Sequence, residues 1–246
     1  MGGFFLNDFY ELYKNFMRIK KMGWIRTMRN GSTGVGYTFE SLLNKNEESF
    51  NVPDFGDIEI KTKRYFTKGY IELFNAVPDG DYLFPIKNLL KKYGYTTRKN
   101  PNSKAIVGDV YANKDSMIGL YYIYRLKVDR KLQLIRLYIL DFEGNILDSS
   151  VTWSFTYLKE KLYRKLKYLA LIYAKSKYVD GIEYFLYNRI SFYKLIGFDS
   201  FLNLIEDGKI HIQFNARYID NGITKKFHDH GTAFKIHEKD IQFLFN

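Results

Sequence analysis

The chain has 246 residues, of which 46% are hydrophobic, so it can bury a globular core as one large domain or as two lobes. Its apolar runs fall well short of the roughly 18 residues that a membrane-spanning helix needs, and its first residues carry acids and no basic region. We therefore expect neither a membrane span nor a signal peptide. Cysteine is absent, which excludes thiol chemistry and disulfides and suits the reducing cytoplasm, where we expect the protein to act.

The charge balance is strongly basic. Lys and Arg number 38 against 27 Asp and Glu, which gives a formal net charge of +11. A surface this basic favours a polyanionic partner, and nucleic acid is the first candidate. The chain is also rich in Lys, Asn, Ile, Phe and Tyr, the residues that an A/T-rich genome overproduces, so coding bias is an alternative explanation of the charge.

The first half of the chain alternates helical and extended patterns. Apolar residues three or four apart indicate helices, and alternation with β-branched residues indicates strands. In chain order the predicted elements are a helix over 5–22, a loop at "RNGSTGVG", a helix in "YTFESLLNKNEE", a strand in "DIEIKT", a strand over 70–77, and a polar loop with one short strand at "PNSKAIVGDVYANKDSMIG".

The second half contains a hairpin, a basic segment and a second hairpin. Residues 120–128 and 132–141 are β-rich and separated by a short polar turn. The segment "YLKEKLYRKLKYLALIYAKSK" has leucines at helical spacing, so we expect one helix that continues to Lys177. We expect this helix to pack on the core with a solvated basic face, some of whose lysines contact phosphate. The tail predicts a helix at "SFLNLIEDG", a strand at "KIHIQFNARY", a turn at Asn221-Gly222 and a strand at "KKFHDHGTAFKI". The helices and strands together predict a chain of mixed α/β class.

The stretch "NVPDFGDIEIKTKRY" places opposite charges on one short apolar strand. Side chains two apart on a strand share a face, so Glu59 and Lys61 point the same way while Ile58 and Ile60 point to the other side. Asp54 lies five residues upstream, where a loop could bring its carboxylate beside Glu59. Two carboxylates and a backbone carbonyl form a hard oxygen site of the kind that Mg²⁺ prefers beside a phosphate. Lys61 would then orient the attacking water.

The acid-x-Lys triplet alone is weak evidence for a nuclease, because it occurs three times in this chain. The other two copies, Asp129 to Lys131 and Asp207 to Lys209, fall in predicted turns where solvated charges need no explanation. Only the copy at 59–61 combines an apolar strand with an upstream Pro-Asp pair. The alternative is an exposed edge strand with an ion pair across one face.

These residues resemble the PD-(D/E)xK nucleases, and more narrowly the MvaI/BcnI-type restriction endonucleases, which are relatives of the mismatch-repair nickase MutH. Three blocks carry the resemblance, in family order: "GSTGVGYTFESLL" with "PDFGDIEIKT", then "VTWSFTYLKEKLYRKLKYLA", then "HDHGTAFKI". The resemblance implies that Asp54, Glu59 and Lys61 are the catalytic triad and that Asp54, Glu59 and the carbonyl of Ile60 hold Mg²⁺. It implies an accessory acid at Glu40, whose alternative is an ordinary solvated helix residue.

The family resemblance also gives the glycines and the last hairpin a role. Gly31, Gly34 and Gly36 are expected to form a tight turn and to let the main chain approach DNA phosphate; no Gly-Lys-Ser/Thr follows, so they are not a P-loop. The C-terminal hairpin would contact base edges in the major groove, and the alternative is a polar hairpin tip. A zinc site there is disfavoured, because the chain lacks cysteine and its other histidines have no ligand spacing. The candidate base-contacting residues of "HDHGTAFKI" are His228, Asp229, His230 and Lys235.

The strand before this hairpin departs from the family pattern. Relatives that recognise G:C-bounded sites have an acid and an arginine there, whereas this chain has Gln213 and Asn215, with Arg217 further on. Gln and Asn pair best with adenine and Arg with guanine, so we predict at least one A:T pair contacted directly. Lys235 stands where an arginine is expected, which weakens a bidentate guanine contact.

The resemblance thus implies a type II restriction endonuclease that hydrolyses double-stranded DNA with Mg²⁺ at a short specific site. It implies a PD-(D/E)xK nuclease core, with a central mixed sheet flanked by helices, and a smaller DNA-recognition lobe. We expect residues 1–185 to form the catalytic lobe, with an excursion at 78–104, and 186–246 to form the recognition lobe. We expect a monomer that cuts the strands in turn, pairs functionally with a DNA methyltransferase, and has no stable protein partner. The alternatives are a MutH-like nickase and a catalytically inactive DNA-binding protein.

Overall fold

The structure is a computed structural model that describes residues 2–43, 53–65, 67, 69–81, 84–97, 100–220 and 225–246. Over these residues the helices are α1 (Gly2–Lys21), α2 (Gly34–Leu42), α3 (Phe84–Tyr93), α4 (Phe155–Leu166) and α5 (Phe198–Glu206), followed by a 3₁₀ turn at Glu238–Phe243. The strands are β1 (Ile25–Arg26), β2 (Ile58–Arg64), β3 (Tyr70–Asn75), β4 (Tyr95–Thr97), β5 (Asn100–Val110), β6 (Ser116–Met117), β7 (Ile123–Asp129), β8 (Leu134–Leu140), β9 (Ile146–Asp148), β10 (Thr152–Ser154), β11 (Tyr168–Val179), β12 (Ile182–Lys194), β13 (Ile210–Asp220) and β14 (Lys225–His237). The predicted α/β class is confirmed.

The chain divides into two compact units, and the first contains residues 1–69, 161–196 and 245–246. Its sheet has the order β1-β12-β11-β2, in which β11 pairs parallel with β2 and antiparallel with β12. Helices α1 and α2 cover one face of this sheet. The core beneath them is aromatic and aliphatic, and its fully buried members include Leu12, Phe16, Phe39, Ile58, Ile172 and Phe185.

The second unit contains residues 70–160 and 197–244 and is built on two sheets. One of these sheets is a meander with the strand order β10-β8-β7-β6, in which β9 lies beside β8. The other sheet has the order β3-β14-β13-β5-β4 and carries both strands of the C-terminal hairpin. Trp153 is fully buried here and donates from Nε1 to the Ala76 carbonyl at 3.0 Å, so it is a core residue.

The unit boundaries differ from the expected lobes. The predicted limit at 185/186 falls inside β12, a 13-residue strand that no sequence pattern had indicated, and residues 70–160 group with the C-terminal hairpin. The predicted excursion at 78–104 includes α3 and β4 of the second unit. Which unit carries catalysis and which carries recognition stays a prediction.

The expected long basic helix is wrong beyond Leu166. Helix α4 ends there, and Tyr168 begins the 12-residue strand β11. Leu169 through Ala174 are all buried, because β11 is a central strand covered on both faces. A strand buried on both faces is a continuous apolar run, and periodicity alone cannot separate such a run from a buried helix.

Three further elements differ in extent from expectation. The polar segment expected to be mostly loop is the 11-residue strand β5, which is held between β13 and β4. Helix α2 starts at Gly34, so two of the three glycines lie in the helix rather than ahead of it. Residues 44–48 of the predicted second helix, and the turn at Asn221-Gly222, lie outside the described residues. Across the described chain, no helix is both long and apolar enough to cross a bilayer.

Candidate active site

A tight turn folds Asp54 back onto β2. The main chain of Phe55 exchanges two hydrogen bonds with that of Ile58, at 2.9 and 2.8 Å, across a turn at Gly56. Gly56 has φ +56°, and a Cβ there would lie 2.1 Å from Asp8 Oδ2, so the turn requires glycine. As a result Asp54 Oδ2 accepts from the Ile60 backbone N–H at 2.8 Å. The spacing of four residues between Asp54 and Glu59 therefore brings the two acids to one place.

Glu59 is a buried carboxylate between two lysines. Its side chain is 1% exposed, and its Oε1 lies 2.7 Å from Lys61 Nζ and 3.5 Å from Lys165 Nζ. The shared face of Glu59 and Lys61 is thereby confirmed. Strand β2 is at the edge of its sheet and carries an ion pair, as the alternative had it, but the alternative is wrong about exposure because the acid is buried. Burial raises the pKa of the Glu59 carboxyl above its ordinary value; the lysines oppose this shift and Asp54 adds to it.

An open cleft of about 340 Å³ faces these side chains. All the predicted catalytic positions line it, including Glu40 and the main chain of Ile60. Apart from the apolar Val35, the lining residues that sequence analysis had not singled out are Arg29, Ser32, Thr33, Tyr37, Thr62 and Lys165. Arg29 lies over the Tyr37 ring, 3.7 Å from its centroid, which fixes a cation at the edge of the cleft. The structure thus brings the predicted catalytic residues together, and their roles stay predictions.

The glycines shape the wall of this cleft. Gly31 has φ +88°, as a tight turn requires, and a Cβ on Gly34 would lie 2.2 Å from the Arg29 carbonyl. A Cβ on Gly36 would lie 3.1 Å from Thr62 Oγ1 and 3.5 Å from Glu40 Oε1. The missing side chain therefore leaves room for Thr62, whereas a Cβ would meet Glu40 only at an ordinary contact distance. Glu40 is half-buried and lines the cleft, which argues against Glu40 as an ordinary solvated residue.

An Arg64–Glu183 ion pair anchors the glycine loop. Arg64 donates from Nε and Nη2 to the two Glu183 oxygens at 2.7 and 2.8 Å. Its guanidinium also donates to the Ser32 carbonyl at 2.8 Å and to the Gly31 carbonyl at 3.0 Å. Both charged side chains are largely buried, at 17% and 7% exposed. The end of β2 is thus tied directly to the loop that lines the cleft.

The donor set at Glu59 fits a hard cation. Glu59 Oε2 is buried and has no hydrogen-bond partner among the described residues. A buried charged oxygen without a partner is costly, so this site gains from a cation that coordinates it. Over the same residues no group of three or more His, Asp or Glu forms a metal cluster by itself. Besides Glu40, the cleft offers the carboxylates of Asp54 and Glu59 and the main-chain carbonyl of Ile60, and an incomplete oxygen set of this kind suits Mg²⁺, which retains several waters.

The second group of predicted residues lies on β13 and β14. Gln213, Asn215 and Arg217 alternate along β13 on the face opposite the buried Ile212, Phe214 and Ala216, and Arg217 donates to Asn215 Oδ1 at 3.4 Å. We call this face, with the same side of the neighbouring strands, the polar sheet face.

A bulge in β14 places the side chains of His228 and Lys235, which lie near opposite ends of this strand, on the polar sheet face. His228 pairs with Arg217 and Lys235 pairs with His211, although an odd spacing along an unbroken strand would place His228 and Lys235 on opposite faces. The register shifts between them at Gly231, which has φ +93° and whose Cβ would lie 2.6 Å from Asn75 Oδ1. The backbone of Asp229 and His230 is part of β14, while their side chains lie outside the described set.

Besides Arg29, two charged residues in these sites escaped sequence analysis. Lys165 is in the last turn of α4, and the error in the helix end hid its position beside β2. Asp109 is on β5, paired with Gln213, in a segment that had been expected to be a loop with only one short strand. Placing the helix-to-strand change at Leu166 would have indicated Lys165, whereas no local pattern points to Asp109.

The mixed sheet, the buried acid-lysine strand and the lined cleft define a nuclease of α/β fold. The chain belongs to the MvaI/BcnI restriction endonuclease family, whose model matches residues 13–245, which confirms the resemblance noted in the sequence. It is accordingly a type II restriction endonuclease that acts on DNA.

The solved structures of one family member are similar over nearly the whole chain. The restriction endonuclease MvaI in a complex with its cognate DNA substrate is 32% identical, with a TM-score of 0.86 and 96% of each chain covered. MvaI in the absence of DNA is 31% identical, with a TM-score of 0.62, covering 97% of this chain and 96% of the other. A comparison with curated protein sequences finds no match.

Proposed function

We propose that this protein hydrolyses phosphodiester bonds of double-stranded DNA with Mg²⁺ at the cleft beside β2, at a short specific site. The observation that carries the proposal is Glu59, which is buried, held by Lys61 at 2.7 Å, and has one oxygen without a partner among the described residues. Placing an acid in this state costs stability, and catalysis at a cation site is the function that explains it.

The residues at the cleft would have different roles in catalysis. Asp54, Glu59 and the Ile60 carbonyl would hold Mg²⁺, which when bound offsets charge on the scissile phosphate and makes water more acidic. Lys61 would donate to the attacking water or to a phosphate oxygen and keep it in line for displacement. Glu40 would act as an accessory acid at the cleft, and Arg29 and Lys165 would offset negative charge of the substrate.

The polar sheet face would contact base edges. Gln213, Asn215, Arg217, His228 and Lys235 are the described candidates, and Asp229 and His230 are candidates by sequence alone. The registers of β13 and β14 support this proposal because they place the described side chains on one face. Base specificity requires donors and acceptors held in fixed positions, as a sheet surface provides.

The proposal includes a biological setting. We infer that the enzyme acts in the cytoplasm as a monomer that cuts the two strands in turn. A DNA methyltransferase of the same specificity would protect the host without binding this chain. The absence of cysteine suits a reducing cytoplasm, and the DNA-bound relative supports DNA as the partner.

The test is incubation of the purified protein with Mg²⁺ and DNA of varied sequence, followed by sequencing of fragment ends, with Lys61→Ala as the control. Discrete ends on both strands that share one motif, and that the variant does not produce, are expected. Accumulation of nicked plasmid without linear product would instead favour a MutH-like nickase. Binding without cleavage, or equal cleavage by Lys61→Ala, would contradict the catalytic assignment.

A further inference from the structure

A charged network crosses the polar sheet face at Gln213. Gln213 Nε2 donates to Asp109 Oδ1 at 2.8 Å, and Lys235 Nζ donates to Gln213 Oε1 at 2.7 Å. The three residues come from adjacent strands, β5, β13 and β14. The amide is therefore held on both sides, by an acid on one and a base on the other.

The two flanking charges determine which way the amide points. Lysine has only donors, and an ionised aspartate has only acceptors. Turning the amide by half a rotation would set its NH₂ against the ammonium group of Lys235 and its oxygen against the carboxylate of Asp109. Most glutamine amides can present either edge, but this network allows one orientation.

The residues around the network hold its two outer members in place. Lys235 Nζ also lies 3.9 Å from Glu72 Oε2, and Glu72 Oε1 accepts from Asn75 Nδ2 at 2.9 Å. On the other side, Asp109 Oδ1 lies 3.5 Å from Nε2 of the buried His211, whose ring stacks on Tyr111. Lys235 is 20% exposed and Asp109 33%, so the network is open to a ligand on one side.

We propose that Asp109 and Lys235 are positioning residues that fix the Gln213 amide to recognise adenine at one position of the DNA site. The proposal rests on the proposed function and deepens it. The fixed amide retains one N–H and one oxygen lone pair beyond its network contacts, and adenine N7 and N6–H₂ match this pair. Guanine offers acceptors at both atoms, so its O6 would face the amide oxygen and be rejected. The predicted base contact of Lys235 is thereby replaced by an indirect role.

The test selects preferred sites from a duplex library randomised over the recognition site. Selection is by cleavage in Mg²⁺ and, separately, by binding in Ca²⁺, so that a failure of catalysis does not prevent measurement of base preference. The variants are Gln213→Ala, Asp109→Asn and Lys235→Met. Asparagine can donate or accept, and methionine can do neither, so both changes free the amide while keeping side-chain size. Lys226→Met, an exposed lysine of the same strand β14, is the charge-matched control.

The expected result is an A:T pair fixed at one position by the wild type, with that preference reduced roughly tenfold or more at the same position by all three variants. Lys226→Met weakens binding uniformly and leaves the preference unchanged. Three results would overturn the proposal: a wild-type site without a fixed A:T pair, an unchanged preference in Gln213→Ala, or a Lys235→Met change confined to a different base pair. Absence of cleavage with the preference intact in Ca²⁺ would reject the proposed catalysis and leave this inference standing.

Discussion

The cleft beside β2 and the network on the polar sheet face each combine acids and lysines, and they differ in whether those charges are satisfied. At Gln213, the amide donates to Asp109 and accepts from Lys235, so both charged side chains have a hydrogen-bond partner. At Glu59, two lysines crowd one carboxylate oxygen while the other has no partner among the described residues. A site that must hold one geometry for base recognition has its charged side chains hydrogen-bonded within the protein. A site that must take up a cation and a phosphate keeps an unsatisfied group.

The largest effect should come from the cleft beside β2. Lys61→Ala should lower single-turnover cleavage about 10²- to 10⁴-fold, because a donor positioned at the reacting phosphate is lost. DNA affinity in Ca²⁺ should change little. Lys63→Ala is the matched control: it removes a lysine of the same strand whose Nζ lies 3.4 Å from the Gly69 carbonyl, outside the cleft lining. Equal losses in the two variants would assign Lys61 to general charge attraction.

The Arg64–Glu183 pair should show the next largest effect, on stability. Glu183→Ala leaves a largely buried guanidinium without its counter-charge, which should cost about 3–5 kcal/mol in the free energy of unfolding measured with urea. Glu206→Ala is the control, since it breaks a similar bidentate pair with Arg130 that is exposed at 44% and 39%. An exposed pair should cost no more than about 1 kcal/mol. Similar costs at the two sites would contradict the anchoring role of the buried pair.

The β14 bulge gives a smaller stability effect with a specific signature. Gly231→Ala forces a left-handed conformation on alanine, at about 1–2 kcal/mol, and sets its Cβ against Asn75. Gly144→Ala carries nearly the same φ, +87°, in open space. We expect a larger fall in melting temperature for Gly231→Ala, with weakened base preference only in that variant. Indistinguishable melting temperatures would mean that the crowding at Asn75 is absent in solution.

The smallest effect tests the pKa of Glu59 directly. Because burial raises this pKa in the folded protein, the carboxyl favours folding below its ordinary value of 4.5, and this contribution is lost as pH rises through the folded pKa. Glu59→Gln resembles the protonated form, so in EDTA its melting temperature should exceed that of the wild type at pH 8. Each kcal/mol gained in the free energy of unfolding corresponds to a rise of about 2–4 °C. The difference should vanish near pH 4. A variant that is less stable than the wild type at pH 8 would show that the lysines outweigh burial.

The sequence predicted the cleft at Glu59 better than the network at Gln213. Residues 54 to 61 are joined by one turn and one strand, so the alternation of Glu59 with Ile60 was enough to place them. The network at Gln213 depends on pairing with β5 and on the bulge at Gly231, which are contacts between distant segments. The polar segment around Asp109 has no local pattern that distinguishes a strand from a loop.

The error in α4 and β11 has a related cause. A helix and a central strand both require apolar residues, and the run from Leu166 to Ala174 satisfies both patterns. Only the pairing of β11 with β2 and β12 selects the strand. This error concealed Lys165, so the cleft was predicted with one of its two lysines.

In the proposed mechanism, Asp54, Glu59 and the Ile60 carbonyl hold the catalytic cation. The most direct test is anomalous diffraction from crystals of the protein with its DNA site and Mn²⁺, using Lys61→Ala to prevent cleavage. We predict an anomalous peak bonded to Glu59 Oε2, Asp54 and the Ile60 carbonyl, at the roughly 2.0–2.2 Å typical of small divalent ions bound by oxygen. A peak that makes no bond to Glu59 would contradict the claim.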